Sequence, residues 1–319
     1  MTRTLAFWLL HRMSIFFFSF GDRGCPGPID GNIIAPSDPH AWNSRGKNCR
    51  QWITFDHFEG LFIHGSGTIN INGQGSNWWG ISCDNDKTAC DRKPLVFVIS
   101  HSNNVHLNGL NFENSPQKHI IIKSPSRVYD SHLTIGAPEH SPNIDGIHVQ
   151  QSSDVFIDQT RIGTGPGHGI SIGCLGGEGE FNTVAFVYVA TVEFTGTQNG
   201  GGRGYARNIV FENISFHDSN NPIIIHQYYC PHQHCTNQTS AVAISNVMDN
   251  GLYGTSSRET GVLFACSTTI PCTNIVMKNI HLESSKEGKE ISAYCLNVQG
   301  LANSQVSPTV PCLFLDESL

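Results

Sequence analysis

One pattern recurs along this chain and limits what it can fold into. An Asn or Asp is followed by a β-branched residue and then by alternating apolar and polar positions. It reads Asn104-Val105-His106-Leu107-Asn108-Gly109-Leu110-Asn111-Phe112. It returns at Asp154-Val155-Phe156-Ile157, at Asn208-Ile209-Val210-Phe211-Glu212-Asn213-Ile214-Ser215-Phe216 and at Asn274-Ile275-Val276-Met277-Lys278-Asn279-Ile280-His281-Leu282. Weaker copies sit at Arg127-Val128-Tyr129 and Thr183-Val184-Ala185-Phe186. Spacings from the low twenties to the low thirties are those of a solenoid. Strand-length alternation, rather than a 3.6-residue period, makes it a β solenoid. One coil cannot bury its apolar face alone. Coils stacked about 4.8 Å apart close a continuous core and pair the backbone in parallel sheets. Asn at each coil turn tolerates the left-handed region and can bond its own backbone. The alternative, an antiparallel sandwich, turns every 8–12 or so residues through hairpin dipeptides. The long, irregular period favours an all-β, single-stranded parallel β-helix from about Ile53 to near Cys295, with no second domain.

Composition agrees. Only 14% of the residues are charged and 32 of 319 are Gly, which suits strands joined by tight turns. The net charge of −7 argues against a nucleic-acid surface. It leaves an acidic polysaccharide open, since a local basic site can hold an anion on an acidic protein. Eleven cysteines include the close pairs Cys83/Cys90, Cys230/Cys235 and Cys266/Cys272, with Cys295/Cys312 further apart. No CxxC is present, so short disulfide loops in an oxidising compartment fit better than a zinc ribbon. The odd count leaves a free thiol, and Cys174 is the first candidate. Sequons at Asn213-Ile214-Ser215 and Asn237-Gln238-Thr239 agree with secretion. Residues 1–28 hold two apolar stretches, Leu5 to Leu10 and Ile15 to Phe20, broken by His11 and Arg12. Neither reaches the roughly 18 residues of a membrane span. An irregular signal peptide and a damaged N-terminus both remain open.

Two short motifs carry the chemistry. Ser141-Pro142-Asn143-Ile144-Asp145-Gly146-Ile147-His148 precedes Gly165-Pro166-Gly167-His168-Gly169-Ile170-Ser171-Ile172-Gly173, and Asp145 lies 23 residues before His168. Each sets a carboxylate or imidazole among glycines at the start of an apolar run. Taken alone, Asp145-Gly146 is ordinary turn chemistry. With Asp30-Gly31-Asn32-Ile33-Ile34-Ala35-Pro36-Ser37, Asn72-Gly73-Gln74-Gly75-Ser76-Asn77-Trp78-Trp79, Asn114-Ser115-Pro116-Gln117-Lys118-His119 and Gly204-Tyr205-Ala206-Arg207-Asn208-Ile209, the set resembles plant-type polygalacturonases. These form family 28 of the glycoside hydrolases, within the pectin-lyase-like superfamily.

That resemblance runs from about residue 29 to about 315. It implies one domain over 29–319, a right-handed parallel β-helix, secretion to the cell wall, and pectin or polygalacturonate as the partner. No cofactor, metal, nucleic acid or membrane is expected, and the protein is expected to be a monomer. The implied reaction is inverting hydrolysis of α-1,4-galacturonide bonds, in which one carboxylic acid protonates the leaving oxygen and a carboxylate opposite activates water. By the resemblance Asp145 is catalytic as that base, although Ile144 stands where the family has Thr. His168 matches the catalytic Gly-His-Gly histidine. Asn143 and Tyr229 match substrate-side positions.

Two family segments are missing. After Ile162-Gly163-Thr164-Gly165 the family continues into Asp-Asp-Cys, whereas this chain passes to Pro166-Gly167-His168 and has no Asp-Asp pair anywhere. After Thr195-Gly196-Thr197-Gln198-Asn199-Gly200 the family carries an Arg-Ile-Lys clamp for substrate carboxylates. Here the chain reads Gly201-Gly202-Arg203-Gly204. Joining Gly165 to Pro166 removes about one coil, which a solenoid tolerates because each repeat touches only its neighbours. The chain then lacks two of three catalytic aspartates, and impaired turnover is expected. The alternatives are a catalytically dead pectin-binding relative and an incomplete gene model. If the shortened solenoid re-stacks, His168 must sit in the layer beside Asp145, within reach of it.

Overall fold

The computed structural model describes residues 19–20, 31–39, 51–80, 93–142, 144–165, 167–173, 182–195, 204–228 and 242–318. They form a parallel β solenoid with a single short helix, Ser76–Trp79. Each full coil gives one short strand to a five- or three-stranded sheet and one long, bent strand to a 14-stranded sheet. Apart from the antiparallel edge pair Ser19–Phe20, every pairing is parallel. The coils start at Gln51 and the long sheet continues to Phe314–Leu315, beyond the expected Cys295.

The recurring sequence pattern has a backbone cause. Gly60, Asn104, Arg127, Asp154, Phe186, Asn208, Asn246 and Asn274 all have φ between 51° and 73° and stack in register, one per coil. Each turns the chain through the left-handed region, where Asn and Gly are least strained. Asn246 donates to Asn208 Oδ1 at 2.8 Å and Asn274 to Asn246 Oδ1 at 2.9 Å, so the turn residues form a ladder. The next residue in each coil points inward: Val105, Val128, Val155, Val187, Ile209, Val247 and Ile275 are all buried. On the outer face Phe62, His106, Tyr129 and Phe156 stack ring on ring at 4.4, 4.7 and 4.9 Å.

One inward column breaks its own rule. Two residues after the β-branched position come Leu107, Asp130, Ile157, Val189, Phe211, Asp249 and Met277. Asp130 is 1% exposed, and neither of its carboxyl oxygens finds a hydrogen-bond partner among the described residues. Burial pushes its pKa up to about 8, and that of Asp249 up to about 7. Both carboxyls are therefore neutral in the folded protein on the acidic side of neutrality.

Cys266–Cys272 and Cys295–Cys312 form disulfides, as the spacing suggested. Cys83, Cys90, Cys174, Cys230 and Cys235 lie outside the described residues. No helix among the described residues is long and apolar enough to cross a membrane.

Candidate functional site

The site stands on the short sheet, where the strands Lys118–Lys123, Asp145–Gln150 and Ile170–Ile172 lie side by side. Asp145 opens its strand and is in register with Lys118 one coil away. On its other side, the pairs Ile147↔Ile170 and His148↔Ser171 put the next coil 23 residues on. That offset sets His168 level with Asp145. Gly146 donates its N–H to the His168 carbonyl at 2.8 Å, and Ile147 to the Gly169 carbonyl at 2.9 Å. The solenoid has re-stacked across the Gly165–Pro166 join. Glycines make this possible. A Cβ on Gly167 would sit 1.8 Å from the Ile144 carbonyl oxygen, and one on Gly146 would sit 2.5 Å from the Gly169 oxygen.

The side chains meet as the sequence reading required. His168 Nδ1 is 2.7 Å from Asp145 Oδ1, and its backbone N–H approaches the same oxygen at 3.4 Å. Lys118 Nζ donates to Asp145 Oδ2 at 2.6 Å, and Ser171 Oγ donates to that oxygen at 3.2 Å. His148 Nδ1 faces Lys118 Nζ at 3.0 Å and Ser171 Oγ at 2.6 Å. Behind the strand, His119 Nδ1 bonds the Asp145 carbonyl at 3.0 Å, fixing the backbone that carries the carboxylate. Asp145, His148 and His168 are buried, and the Lys118 side chain is 20% exposed.

Electrostatics here has a definite sign. Burial alone would raise the Asp145 carboxyl, but the Lys118 ammonium and the His168 hydrogen bond overcome it and hold it well below the usual carboxylate range. Burial, reinforced by Lys118, pushes His148 down to about 3. Burial likewise takes His119 down to about 4, against the backbone hydrogen bonds that favour its charged form. Asp145 is thus a fixed anion. It can accept a proton from water as a base; it cannot serve as the neutral acid of an inverting pair.

Two of the four sequence-assigned residues, Asp145 and His168, come together. Asn143 and Tyr229 lie outside the described residues, as does Arg203. The sequence reading assigned no role to Lys118, His119, His148 or Ser171. Lys118 and His119 lay in a quoted motif, and the 27-residue step from Lys118 to Asp145 is one coil. That spacing is the signal that could have found them.

The second missing segment also has a structural counterpart. The long strands Asn182–Thr195 and Gly204–Ser219 are separated by residues 196–203 alone. Among the described residues no short-sheet strand stands between Ile170–Ile172 and Ile223–His226, and there the short sheet divides into its five- and three-stranded parts.

Comparison with known proteins places this architecture. The family model for glycosyl hydrolases family 28 matches residues 29–166 and 160–307. The chain belongs to family 28 of the glycosyl hydrolases. The family match is in two pieces that meet at 160–166, where the sequence reading placed the first missing segment. The chain is 37% identical to a probable polygalacturonase of Arabidopsis thaliana, over 91% of this chain and 71% of that protein. It is 36% identical to a polygalacturonase of Malus domestica, over 88% and 65%. It thus spans about two-thirds of the length of these relatives. Among solved structures, the polygalacturonase from Erwinia carotovora superposes with a TM-score of 0.62 at 15% identity, covering 90% of this chain and 81% of that one. That likeness shows the fold, the right-handed parallel β-helix of the family.

Removing the Asp145 carboxylate is expected to cost stability. Asp145→Ala leaves the Lys118 ammonium in a largely buried site without its partner, a loss of about 3–5 kcal/mol. A urea-unfolding midpoint within error of the parent would show that the pair contributes nothing. The double variant Asp145→Ala/Lys118→Met is expected to recover most of the loss, because both charges go together.

Proposed function

We propose that this family 28 chain binds polygalacturonate at the face carrying Asp145 and His168 and turns it over at a background rate. The observation that carries this reading is the clamping of Asp145. Its carboxylate is held between Lys118 and His168, and the groups bonded around it are cationic or neutral. In this reading Asp145 keeps the capacity of a base and His168 positions it. Asn143 and Tyr229 contribute substrate contacts. The acid of the inverting pair is missing with the Asp-Asp segment, and the Arg-Ile-Lys clamp is missing with the short-sheet strand. Residues 29–319 act as one domain, as a monomer. The family's plant polygalacturonases, the two disulfides and the sequons support a secreted, cell-wall setting.

Electrophoresis of the native protein through gels cast with polygalacturonate tests the binding half of the proposal. Retardation by polygalacturonate, but not by an uncharged polysaccharide, is the expected result. Equal mobility in the two gels would sink it.

A further inference from the structure

We propose that Asp56, His57 and His101 form a surface site for a divalent transition ion of the zinc and copper class. The ion would staple together the first two full coils. Nothing in the polygalacturonase chemistry uses these residues, and the proposal does not rest on it.

The site is built by the stacking of one corner. Asp56 and Ser100 are register partners at the ends of the strands Gln51–Asp56 and Leu95–Ser100. The residue after each, His57 and His101, turns the chain through the left-handed region with φ of 60° and 44°. The same corner in the next two coils carries Ser124 and Gln151, also at positive φ. Identical turns therefore throw out identical side-chain directions, and two histidines fall on adjacent layers. Their rings stack 5.0 Å apart at 17°.

Both rings aim Nδ1 at one carboxylate. His57 Nδ1 lies 2.9 Å from Asp56 Oδ2, and His101 Nδ1 lies 3.1 Å from Asp56 Oδ1. The ligand atoms of the three residues lie within 4.8 Å of one another. Tetrahedral zinc with bonds near 2.0–2.1 Å has ligand-to-ligand edges of about 3.3 Å, so two edges are already close to the required length. The third closes by rotation of side chains that are open to solvent. Two imidazoles and one carboxylate suit zinc, copper or nickel, and leave a coordination position for water. Calcium and magnesium ask for more oxygen donors than the site has.

A supporting shell is present. Ser100 Oγ donates to Asp56 Oδ1 at 2.5 Å and is itself buried, which orients the carboxylate. Partial burial works against ionisation of Asp56. The hydrogen bonds from Ser100, His101 and His57 nonetheless hold its pKa below the ordinary value. The side chains of His57, His101 and Asp56 are 73%, 51% and 44% exposed, so an ion enters without any opening of the fold. No sequence spacing announced this cluster, because His57 and His101 are 44 residues apart.

Zinc titration of the full chain by calorimetry, with magnesium and calcium as controls, tests the proposal. The chain has 16 histidines, so the comparison must be made between variants. His57→Ala and His101→Ala are each expected to remove one zinc equivalent, or to weaken it at least about tenfold. Ser100→Ala is expected to weaken it by about tenfold through the carboxylate it orients. His281→Ala, at an exposed histidine paired with Glu283 on a distant coil, is expected to bind like the parent. Zinc should raise the melting temperature of the parent and of His281→Ala, but not of His101→Ala. Copper bound to the parent should show two nitrogen donors by electron paramagnetic resonance, and one in His57→Ala. Identical zinc isotherms for the parent, His57→Ala and His101→Ala would overturn the site. Calcium binding as tight as zinc, lost in the same variants, would overturn the assignment of the ion class.

Discussion

Purified protein incubated with polygalacturonate is expected to release reducing ends no faster than about 10²–10⁴-fold below an intact enzyme of this mechanism. An inverting hydrolase needs two carboxyl groups in opposite protonation states, about 6.5–9.5 Å apart, with water between one of them and the sugar. This chain offers Asp145 in one state only. Lys118 at 2.6 Å and His168 at 2.7 Å keep it ionised. The leaving oxygen then departs without a proton, and loss of the substrate clamp lowers the rate further. Asp145→Asn is expected to fall no lower than the parent, since both already run at background. A parent turnover of about 1–10³ s⁻¹, abolished by Asp145→Asn, would show that another group supplies the acid. Sequencing the transcript across Gly165–Pro166 and Gly200–Gly201 is the companion measurement, because a longer transcript would restore the missing groups.

The second large effect is a stability profile that is level in acid and falls above neutrality. Four buried groups set it. Asp130 and Asp249 titrate near 8 and near 7 in the fold against an ordinary 3.8. Their folded pKa values are raised, so the folded state holds protons that the unfolded state has released. Their contribution to stability is complete below about pH 4 and is lost as pH rises through the folded values. His119 and His148 titrate near 4 and near 3 against an ordinary 6.5. They act in the opposite sense, losing stability as pH falls below 6.5. Each group contributes about 1.4 kcal/mol per pH unit over its own window. Between about pH 4 and 6.5 the two acids and the two histidines cancel. From 6.5 to 7 both acids act alone, and from 7 to 8 only Asp130 does. The expected fall between pH 6.5 and 8 is therefore about 3 kcal/mol. Asp130→Leu, which matches its column neighbours Leu107 and Ile157, is expected to cut that fall to about 1 kcal/mol and to stabilise the protein at pH 8 by about 5 kcal/mol. Urea midpoints across this range are the measurement. Stability that rises from pH 6.5 to 8, or an unchanged slope in Asp130→Leu, would contradict the account.

Much of this protein was legible in the sequence because its information is local and repeated. The turn at Asn104, Asp154, Asn208 and Asn274, followed each time by a buried β-branched residue, is written in every coil. Backbone sterics at one residue and alternation over the next few suffice to specify it. A spacing of 23 residues then fixed Asp145 beside His168, because one coil is the smallest step by which a solenoid can be shortened and still pair its strands.

What the sequence left undecided is whatever depends on which coil lies against which, and on how far a side chain reaches. Lys118 lies one coil before Asp145 and becomes its counter-ion only once the parallel register is set. Asp130 sits in a weak copy of the repeat and reads as a polar position. Stacking turns it inward between Leu107 and Ile157, where its carboxyl is neutral and without a partner among the described residues. His57 and His101 are unrelated as letters and become neighbours because two coils share one corner. Local periodicity determined the coil. Only the stacking, a sum of contacts between residues some 20 to 45 positions apart, decided the charge on Asp145, the burial of Asp130 and the pairing of the two histidines.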